Sequence, residues 1–348
     1  MNLLSKIEAK YVNHERVTWL TSFPFLLMHV MPLGVLFTQT HWLRDLSICV
    51  ALYYIRMFFI SAGYHRYFSH RSYKLGRIMQ FLMAFGGSMA AQKGVLWWAA
   101  NHRHHHKHSD QPEDIHSPKD GLFWSHVGWI LSERYEKTQY DLIPDFAKYP
   151  ELRWLNKYHL VPPTLLAVAV FFIFGPSALF IGFFLSTVIL YHGTFTINSL
   201  MHLIGKRRFA TTDTSRNSMI LALITCGEGW HNNHHHYQGS TSQGYYWWEI
   251  DLSFYALKIL QWLGLAEGVR RQSKIAMERR LIRDGYADLA LFQSHLERAM
   301  RALREAKSQT TEICQEKIQT LEATLKKIRE TSEQIGKIQP SSSAHPSY

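Results

Sequence analysis

Apolar residues along this chain are gathered into a few runs that are long enough to cross a lipid bilayer. Residues 17–37 form a largely apolar stretch of 21 residues, and residues 46–63 form a second one that Arg56 interrupts. About 20 apolar residues in a helix span the hydrocarbon core of a membrane. Only a short segment around residues 41–45 separates the two runs, so the pattern predicts a transmembrane helical hairpin.

A second apolar region predicts another hairpin with the same logic. It covers residues 160–197, and Gly175-Pro176 divides it into spans at about 160–174 and 176–197. Residues 76–100 are apolar with polar interruptions, which predicts a helix that lies in the membrane interface or against the bundle. The predicted fold class is an all-α integral membrane protein with two transmembrane hairpins, that is four spans, and a helical histidine-rich cap.

The basic residues predict which side of the membrane the cap occupies. Lys and Arg crowd the N-terminus, residues 66–119, residues 206–216 and the region after 270, whereas the hairpin turns hold almost none apart from Arg44. Cytoplasmic loops carry the excess of Lys and Arg in membrane proteins. Both hairpins should therefore begin and end in the cytoplasm, with every dense histidine cluster on that side.

The remaining segments complete the predicted domain organisation. Residues 1–16 are polar and form a cytoplasmic N-terminus, and residues 17–270 form the membrane domain. Residues 273–337 are rich in charged residues, Ala and Leu, and they predict an amphipathic helix that breaks near Gly285. Its apolar spacing fits a coiled coil or a solvated helix packed on its own protein equally well. Residues 338–348 should be a disordered tail.

Composition narrows the chemistry to histidine. The net charge of +11 suits an anionic surface. The cysteines Cys49, Cys226 and Cys314 form no CxxC pair, so they predict neither a disulfide framework nor a thiolate zinc site. Histidine is far more telling, because 16 of the 21 histidines lie between His65 and His236.

Helix geometry separates candidate metal ligands from bystanders in these clusters. Residues three or four apart share a helical face. Residues 102–106 and 231–236 each contain an H-x-x-H-H pattern, from which His104 and His236 are excluded by position. Asn198 and His202 are four apart and also share a face, whereas His65 and His70 are five apart and converge only if the helix ends between them. The selected histidines are His65, His70, His102, His105, His106, His202, His231, His234 and His235.

Nine imidazoles exceed the usual number for one ion, which predicts two metal ions with four or five nitrogens each. Imidazole suits iron, copper, zinc and nickel, so ligand type alone does not identify the metal. Two adjacent redox metals beside a membrane suggest O₂ activation. A ferritin-like carboxylate site would need Glu-x-x-His helices. The two such strings, ending at His116 and His231, are interrupted by Pro or Gly, although Glu228 could orient a ligand histidine.

The ordered set H-x-x-x-x-H, H-x-x-H-H, N-x-x-x-H and H-x-x-H-H, interleaved with two hairpins, resembles the membrane fatty acid desaturases of the delta-9 (stearoyl-type) family. The resemblance covers residues 15–265, and flanking strings at 124–129, 213–217, 227–232 and 247–251 support it. It implies that the nine selected histidines bind two iron ions and that Asn198 acts through a bound water. It also implies that O₂ and two electrons are consumed while two hydrogens leave an unactivated methylene pair.

The resemblance further implies a narrow tunnel that holds the acyl chain beside the metals. The candidate lining residues are Gln92, Trp97, Trp98, Thr194 and Phe195. One departure concerns the acyl carrier, because Ala100-Asn101 stands where acyl-CoA members tend to carry Arg-Asp. The string from Arg103 to Lys107 is more similar to bacterial members, some of which act on lipid-bound acyl groups. The carrier, CoA or membrane lipid, therefore stays open.

No cytochrome-like segment is fused to this sequence, so the electrons should come from a separate ferredoxin, rubredoxin or b-type cytochrome with its reductase. A bacterial inner membrane is the expected location, and nucleic acid is not an expected partner. One alternative is a related histidine-rich di-iron hydroxylase or ketolase, because ligands alone do not separate oxygen insertion from desaturation. An alternative of another class is a non-enzymatic metal carrier, although transporters place their ligands near the bilayer midplane.

Overall fold

The computed structural model describes residues 19–282, 288–308 and 312–338, and it is mostly helical. The predicted N-terminal segment 1–16, the break near Gly285 and nearly all of the predicted tail 338–348 lie outside the described residues. In chain order the α-helices are α1 Trp19–Val30, α2 Trp42–Phe58, α3 Arg77–Ser88, α4 Val95–His108, α5 Leu122–His126, α6 Pro144–Ala147, α7 Pro150–Lys157, α8 Val161–Phe174, α9 Pro176–Ala178, α10 Ser186–Asn198, α11 Met219–Ile224, α12 His231–His236, α13 Leu252–Trp262, α14 Lys274–Glu278, α15 Leu289–Ser308 and α16 Glu312–Ile338.

Other hydrogen-bonding patterns extend or connect these helices. Two stretches are π-helical, Phe59–Ser69 and Leu179–Leu185. The 3₁₀ turns are Met31–Phe37, Pro118–Asp120, Gly128–Leu131, Glu133–Tyr135, Tyr140–Leu142 and Leu200–His202. Strands β1 Lys74–Leu75 and β2 Ala266–Glu267 form a short antiparallel pair, which ties the segment after the first long helix to the end of α13.

Among the described residues, two helices are long and apolar enough to cross a membrane by themselves. They are Trp42–Ser69, with 28 residues, and Pro176–His202, with 27. Helices α7 and α8 reach this length only together and are bent by 66°, and residues 22–37 form a shorter apolar helix. Val50 and other large apolar residues on the first long helix are exposed, as expected of a lipid-facing surface. The described residues therefore indicate a membrane protein with two candidate spans, or three with the bent pair, whereas the sequence predicted four.

The break that was predicted at Gly175 has a simple backbone cause. Helix α8 ends at Phe174, Gly175 has a φ of +87°, and the next helix begins at Pro176. Glycine adopts this left-handed region without the penalty of a Cβ atom, and proline fits the first turn of a helix. The chain therefore reverses at this point.

Residues 76–100 do not form the single interfacial helix that the sequence predicted. Helix α3 ends at Ser88 and α4 begins at Val95. Between them Ala91 and Lys93 have positive φ values, which no α-helix can accommodate. The break matters for function because it turns α4, with the second histidine cluster, toward the ends of the long helices.

Arg56, the charged residue within the first long helix, is fully buried and joins this helix to the next. Its guanidinium donates hydrogen bonds to Thr187 Oγ1 and Ser186 Oγ, both at 2.6 Å, and to the Leu52 carbonyl at 3.0 Å. A charge in this position is tolerated only when it is paired inside the bundle. Arg56 therefore has a packing role.

The described part of the C-terminal extension, which the sequence predicted as an amphipathic helix broken near Gly285, contains three helices. Helix α14 has five residues, and the long helices α15 and α16 follow it. Helices α15 and α16 pack against each other. Arg298 and Gln111 connect α15 to the loop after α4. The extension therefore packs on its own protein.

Candidate metal centre

The structure gathers the nine predicted histidines into two adjoining groups. Within each group, one nitrogen of every imidazole lies within 4.8 Å of the others. The rings of His106 and His235, one from each group, have centroids 4.4 Å apart. We call them the first group, His65, His70, His102, His106 and His234, and the second group, His105, His202, His231 and His235.

A π-helix brings the first two histidines together. The stretch Phe59–Ser69 ends directly before His70, and the His70 amide donates to the His65 carbonyl at 3.2 Å. This i to i+5 hydrogen bonding places residues five apart on one face, where an α-helix would separate them. The Nε2 atoms of His65 and His70 are consequently 3.1 Å apart.

Both H-x-x-H-H patterns contribute to both groups. Helix α4 supplies His106 to the first group and His105 to the second, and α12 supplies His234 and His235 in the same way. Successive residues of an α-helix point about 100° apart, because a turn contains 3.6 residues. Adjacent histidines therefore point into different groups, so that one H-H pair contributes an imidazole to each group.

The spacing of the nitrogens fits shared metal ions. The Nε2 pairs His65–His234, His70–His102, His106–His234 and His202–His231 are 3.0 to 3.1 Å apart. Two imidazole nitrogens bound at about 2.1 Å from one ion and at right angles to each other are about 3.0 Å apart. His235 Nε2 is buried and lacks a hydrogen-bond partner in the described part of the chain, as expected of a ligand atom. The donor set therefore fits two imidazole-bound ions.

Carboxylates hold the other nitrogen of three of these rings. His65 Nδ1 donates to Glu228 at 2.6 Å, His105 Nδ1 to Asp114 at 2.8 Å and His235 Nδ1 to Asp213 at 2.8 Å. Each hydrogen bond places the proton on Nδ1 and leaves the Nε2 lone pair free to bind a metal. The carboxylates thus select the tautomer and the orientation of the rings.

Asp110 supports a fourth ring less directly. Its Oδ2 atom lies 3.5 Å from His202 Nδ1 and accepts hydrogen bonds at 2.6 Å from both the amide and the hydroxyl of Thr214. The Thr214 hydroxyl is 3.3 Å from the same His202 nitrogen. Asp110 and Thr214 together therefore restrain His202.

These carboxyl groups stay ionised despite their burial. Burial alone raises the pKa of Asp114, but His105 and the hydrogen bonds outweigh it and lower the pKa to about 2. The same opposition applies to Glu228, where burial is outweighed by His65 and Arg66, so that its pKa is also about 2. The site therefore carries fixed negative charge behind its imidazoles, which favours bound cations.

Sequence reasoning identified only part of this support. It noted Glu228 as a residue that could orient a ligand, and the structure places Glu228 against His65. It missed Asp110, Asp114 and Asp213. Each of these lies in a loop, where helical spacing gives no information, and their only signal was nearness in sequence to a histidine cluster or to the 213–217 string.

The shared helical face of Asn198 and His202 stays a prediction. Helix α10 ends at Asn198, and His202 ends the 3₁₀ turn that follows. His202 joins the second group, whereas Asn198 lies on the wall of a cavity.

The histidines that were excluded by position have other contacts. His104 Nε2 is 2.8 Å from the Glu113 carbonyl, and His236 Nε2 is 2.6 Å from the Ala276 carbonyl. His116 is different, because it lies with His105 and Asp114 in a third potential cluster. Its Nδ1 atom is 3.9 Å from Asp114, too far for a hydrogen bond.

A cavity of about 1270 Å³ reaches the first group of histidines. His65, His102 and Asn198 form part of its wall, and apolar residues such as Phe183 and Ile60 form another part. Binding sites for small molecules are typically concave and mostly apolar, with a few polar groups. A long apolar chain can therefore lie in this cavity beside the candidate metal ions.

All five residues that were predicted to line a substrate tunnel lie on the wall of this cavity. Their contact with a substrate stays a prediction. Trp98 stacks on His102 with ring centroids 5.0 Å apart, and the Gln92 amide donates to Thr194 Oγ1 at 2.9 Å. The Trp97 indole donates to the Tyr135 carbonyl at 2.6 Å. These contacts fix the wall next to the first group. The five residues are Gln92, Trp97, Trp98, Thr194 and Phe195.

The same cavity wall also includes charged residues. Lys93, Arg153 and Lys157 lie there together with Glu136. The Lys93 ammonium sits 4.6 Å from the centre of the Trp97 ring, which keeps its charge beside the cavity. These cations can therefore bind a polar and anionic group at the end of an apolar ligand.

Comparison with known proteins shows which family this chain resembles. A family model described as fatty acid desaturase matches residues 40–267. The chain is 35% identical over 266 residues to an sn-2 palmitoyl-lipid 9-desaturase of Nostoc sp. (strain 36), with 74% of this chain and 92% of that protein covered. It is 33% identical over 264 residues to an sn-1 stearoyl-lipid 9-desaturase of Anabaena variabilis, with 74% of this chain and 96% of that protein covered.

Relatives with other activities have similar identities. An acyl-CoA C20 Delta5-desaturase of Anemone leveillei is 33% identical over 276 residues, with 75% of this chain and 87% of that protein covered. The relatives thus share the desaturase domain but differ in the position of the double bond and in the acyl carrier.

Proposed function

Because this chain belongs to the fatty acid desaturase family, and is thus an oxidoreductase, we propose that it introduces a cis double bond into a saturated long-chain fatty acyl group. The proposed reaction converts one –CH₂–CH₂– unit, O₂, two electrons and two protons into –CH=CH– and two water molecules. We further propose that two iron ions, held by the nine histidines, take part.

One observation carries this proposal: the two histidine groups adjoin each other, each is spaced for an ion, and the first of them reaches a cavity of about 1270 Å³. No side-chain acid or base removes hydrogen from an unactivated methylene group, so the chemistry requires a redox metal. The iron pair, when bound, would supply the oxidation of these C–H bonds with O₂ and external electrons.

The side chains of this protein bind, orient and exclude water. The nine imidazoles would hold the ions through Nε2, and Glu228, Asp114 and Asp213 keep three of the rings in the required tautomer. We assign Asn198 a contact to an ion through a water molecule. The cavity wall would hold the acyl chain so that one pair of carbons lies beside His65 and His102.

The delta-9 position is our proposal for the new double bond. It rests on the relatives from Nostoc and Anabaena variabilis, whose names specify 9-desaturases. We propose that the distance from the charged residues of the wall to the metal site sets this position. Lys93, Arg153 and Lys157 would bind a phosphate of CoA or of a lipid headgroup.

The remaining partners follow from the need for two electrons. We propose a separate acidic electron donor, a ferredoxin, a rubredoxin or a b-type cytochrome, that docks on the basic cytoplasmic face of an inner-membrane protein. Opposite charges accelerate such encounters, and salt weakens them.

The test is to express the chain in cells that make no unsaturated fatty acids and to identify the new acyl products. A delta-9 monounsaturated product, absent in a His231→Ala variant and present in a His104→Ala control, is expected. Analysing CoA esters and phospholipids separately identifies the carrier. A hydroxylated or ketone product would instead favour the related oxygenases, and metal flux in vesicles without any lipid product would favour a carrier.

A further inference from the structure

Helix α15 lies outside the segment that matches the fatty acid desaturase family and yet contacts the metal centre's supporting loops. The family match ends at residue 267, and α15 covers Leu289–Ser308. Helix α15 and the residue directly before it contact two segments: the loop after α4, residues 109–120, and the loop 207–215 that precedes α11. We call these the first loop and the second loop.

Arg298 on α15 connects two points of the first loop. It donates to the Asp110 carbonyl at 2.8 Å and to Asp120 Oδ1 at 2.7 Å. One turn earlier, Ser294 Oγ accepts a hydrogen bond from the Gln111 amide at 3.1 Å. Arg298 and Asp120 have side chains that are 23% and 24% exposed, so solvent screens the pair only in part.

The beginning of α15 connects to the second loop. Asp288, directly before the helix, accepts from the Leu291 amide at 3.2 Å and from Arg207 Nε at 2.8 Å. Arg207 also donates to the carbonyls of Thr211, at 3.0 Å, and of Asp213. Through Arg207, the start of α15 is thus linked to the backbone at two points of this loop.

These two loops carry the carboxylates of the second histidine group. Asp110 restrains His202, Asp114 orients His105, and Asp213 orients His235. The first group depends on a different carboxylate. Glu228 orients His65 and is itself held by Arg66, Ser61 and Gln243, none of which belongs to α15 or the loops.

We propose that α15 is a clamp that positions the second histidine group, so that binding of one of the two ions depends on the C-terminal extension. This inference rests on the proposed function, because it assumes two bound ions. Arg298 is a positioning residue: it acts on the ion through Asp110 and the loop backbone. The loops contain little regular structure, so without the clamp they would sample more conformations and hold their carboxylates less well.

The size of the effect follows from known cases of carboxylates behind metal-binding histidines. Loss of such a partner costs about 10- to 100-fold in metal affinity or activity. Arg298→Ala should weaken the second ion by a factor at the lower end of this range, about tenfold, since Asp114 and Asp213 themselves remain.

The experiment compares iron release from purified full-length variants in detergent. The iron content per chain is measured first, and the ferrous protein is then mixed with a coloured chelator to record the rates of release. Asp213→Asn identifies the phase that belongs to the second group, and Glu228→Gln identifies the phase of the first. The matched control is Arg329→Ala on α16, because Arg329 is half exposed and pairs only with Glu333 in the described structure.

Arg298→Ala is expected to lose iron selectively, with the Asp213-dependent phase accelerated about tenfold and the Glu228-dependent phase unchanged. Arg298→Lys should fall between this variant and the wild type. Equal acceleration of both phases, or release identical to the wild type, would overturn the clamp. A wild-type protein that holds no pair of irons would instead refute the proposed function, so the two failures are distinguishable.

Discussion

Asp114 offers the sharpest test of how the protein prepares its histidines for metal. Three donors point at its two carboxylate oxygens: the His105 Nδ1–H at 2.8 Å, the Asp110 amide at 2.8 Å and the His116 amide at 3.3 Å. In Asp114→Asn the shape is kept, but only one oxygen remains to accept. The side-chain amide nitrogen of the variant must then face one of these donors, or the His105 ring must turn away.

The expected loss can be estimated from these contacts. A hydrogen bond to a charged group contributes about 1.5–3 kcal/mol, and about 1.4 kcal/mol corresponds to a tenfold change in an equilibrium constant. The side chain of Asp114 is completely buried, so water cannot replace the lost acceptor. Asp114→Asn should therefore weaken one of the two ions by about 10- to 100-fold.

The assay is an anaerobic titration of metal-free protein with ferrous iron. The matched control is Asp141→Asn, because Asp141 is exposed and remote from both histidine groups in sequence. Since the pKa of Asp114 is lowered to about 2, its carboxyl group is ionised at every pH above about 4. The difference in iron affinity between Asp114→Asn and the wild type should therefore stay the same between about pH 6 and 8. Wild-type affinity for both ions in Asp114→Asn would refute the orienting role.

Three further outcomes are expected. Arg66→Met leaves the buried carboxylates of Glu228 and Asp251 without their cation, so it should lower the free energy of unfolding by about 3–5 kcal/mol and strongly lower the melting temperature in detergent. The control Arg77→Met, at an exposed ion pair, should change the melting temperature little, and equal melting temperatures of the two variants would contradict this prediction. Thr194→Leu places a larger side chain in the cavity and removes the hydrogen bond that Gln92 donates, so the preferred acyl-chain length or double-bond position should shift while the iron content stays constant. The control Thr196→Leu lies outside the cavity wall and should keep the wild-type products. Because the pKa of Glu228 is lowered in the folded protein, the stabilisation that its carboxylate provides is complete above about pH 5 and declines as the pH falls toward 2. As the pH is lowered, the melting temperature of the metal-free protein should therefore fall less steeply in Glu228→Gln than in the wild type.

The sequence alone was sufficient to select the candidate ligands. An H-x-x-H-H pattern places three imidazoles on neighbouring positions of any α-helix, because the helical repeat is local and does not depend on the rest of the fold. The apolar runs likewise indicated a membrane protein, since bilayer thickness sets the length of a spanning helix. These inferences needed only the residues next to one another in the chain.

The tertiary structure decided how these elements act together. It divided each histidine pattern between two groups, and it replaced an α-helical turn by a π-helix so that His65 and His70 converge. It also brought Asp213 to His235, 22 residues further along the chain, and packed α15 against two loops through contacts that span 81 and 188 residues. Such contacts depend on the packing of distant segments and on backbone hydrogen bonds, for which the spacing of residues along a chain holds no signal.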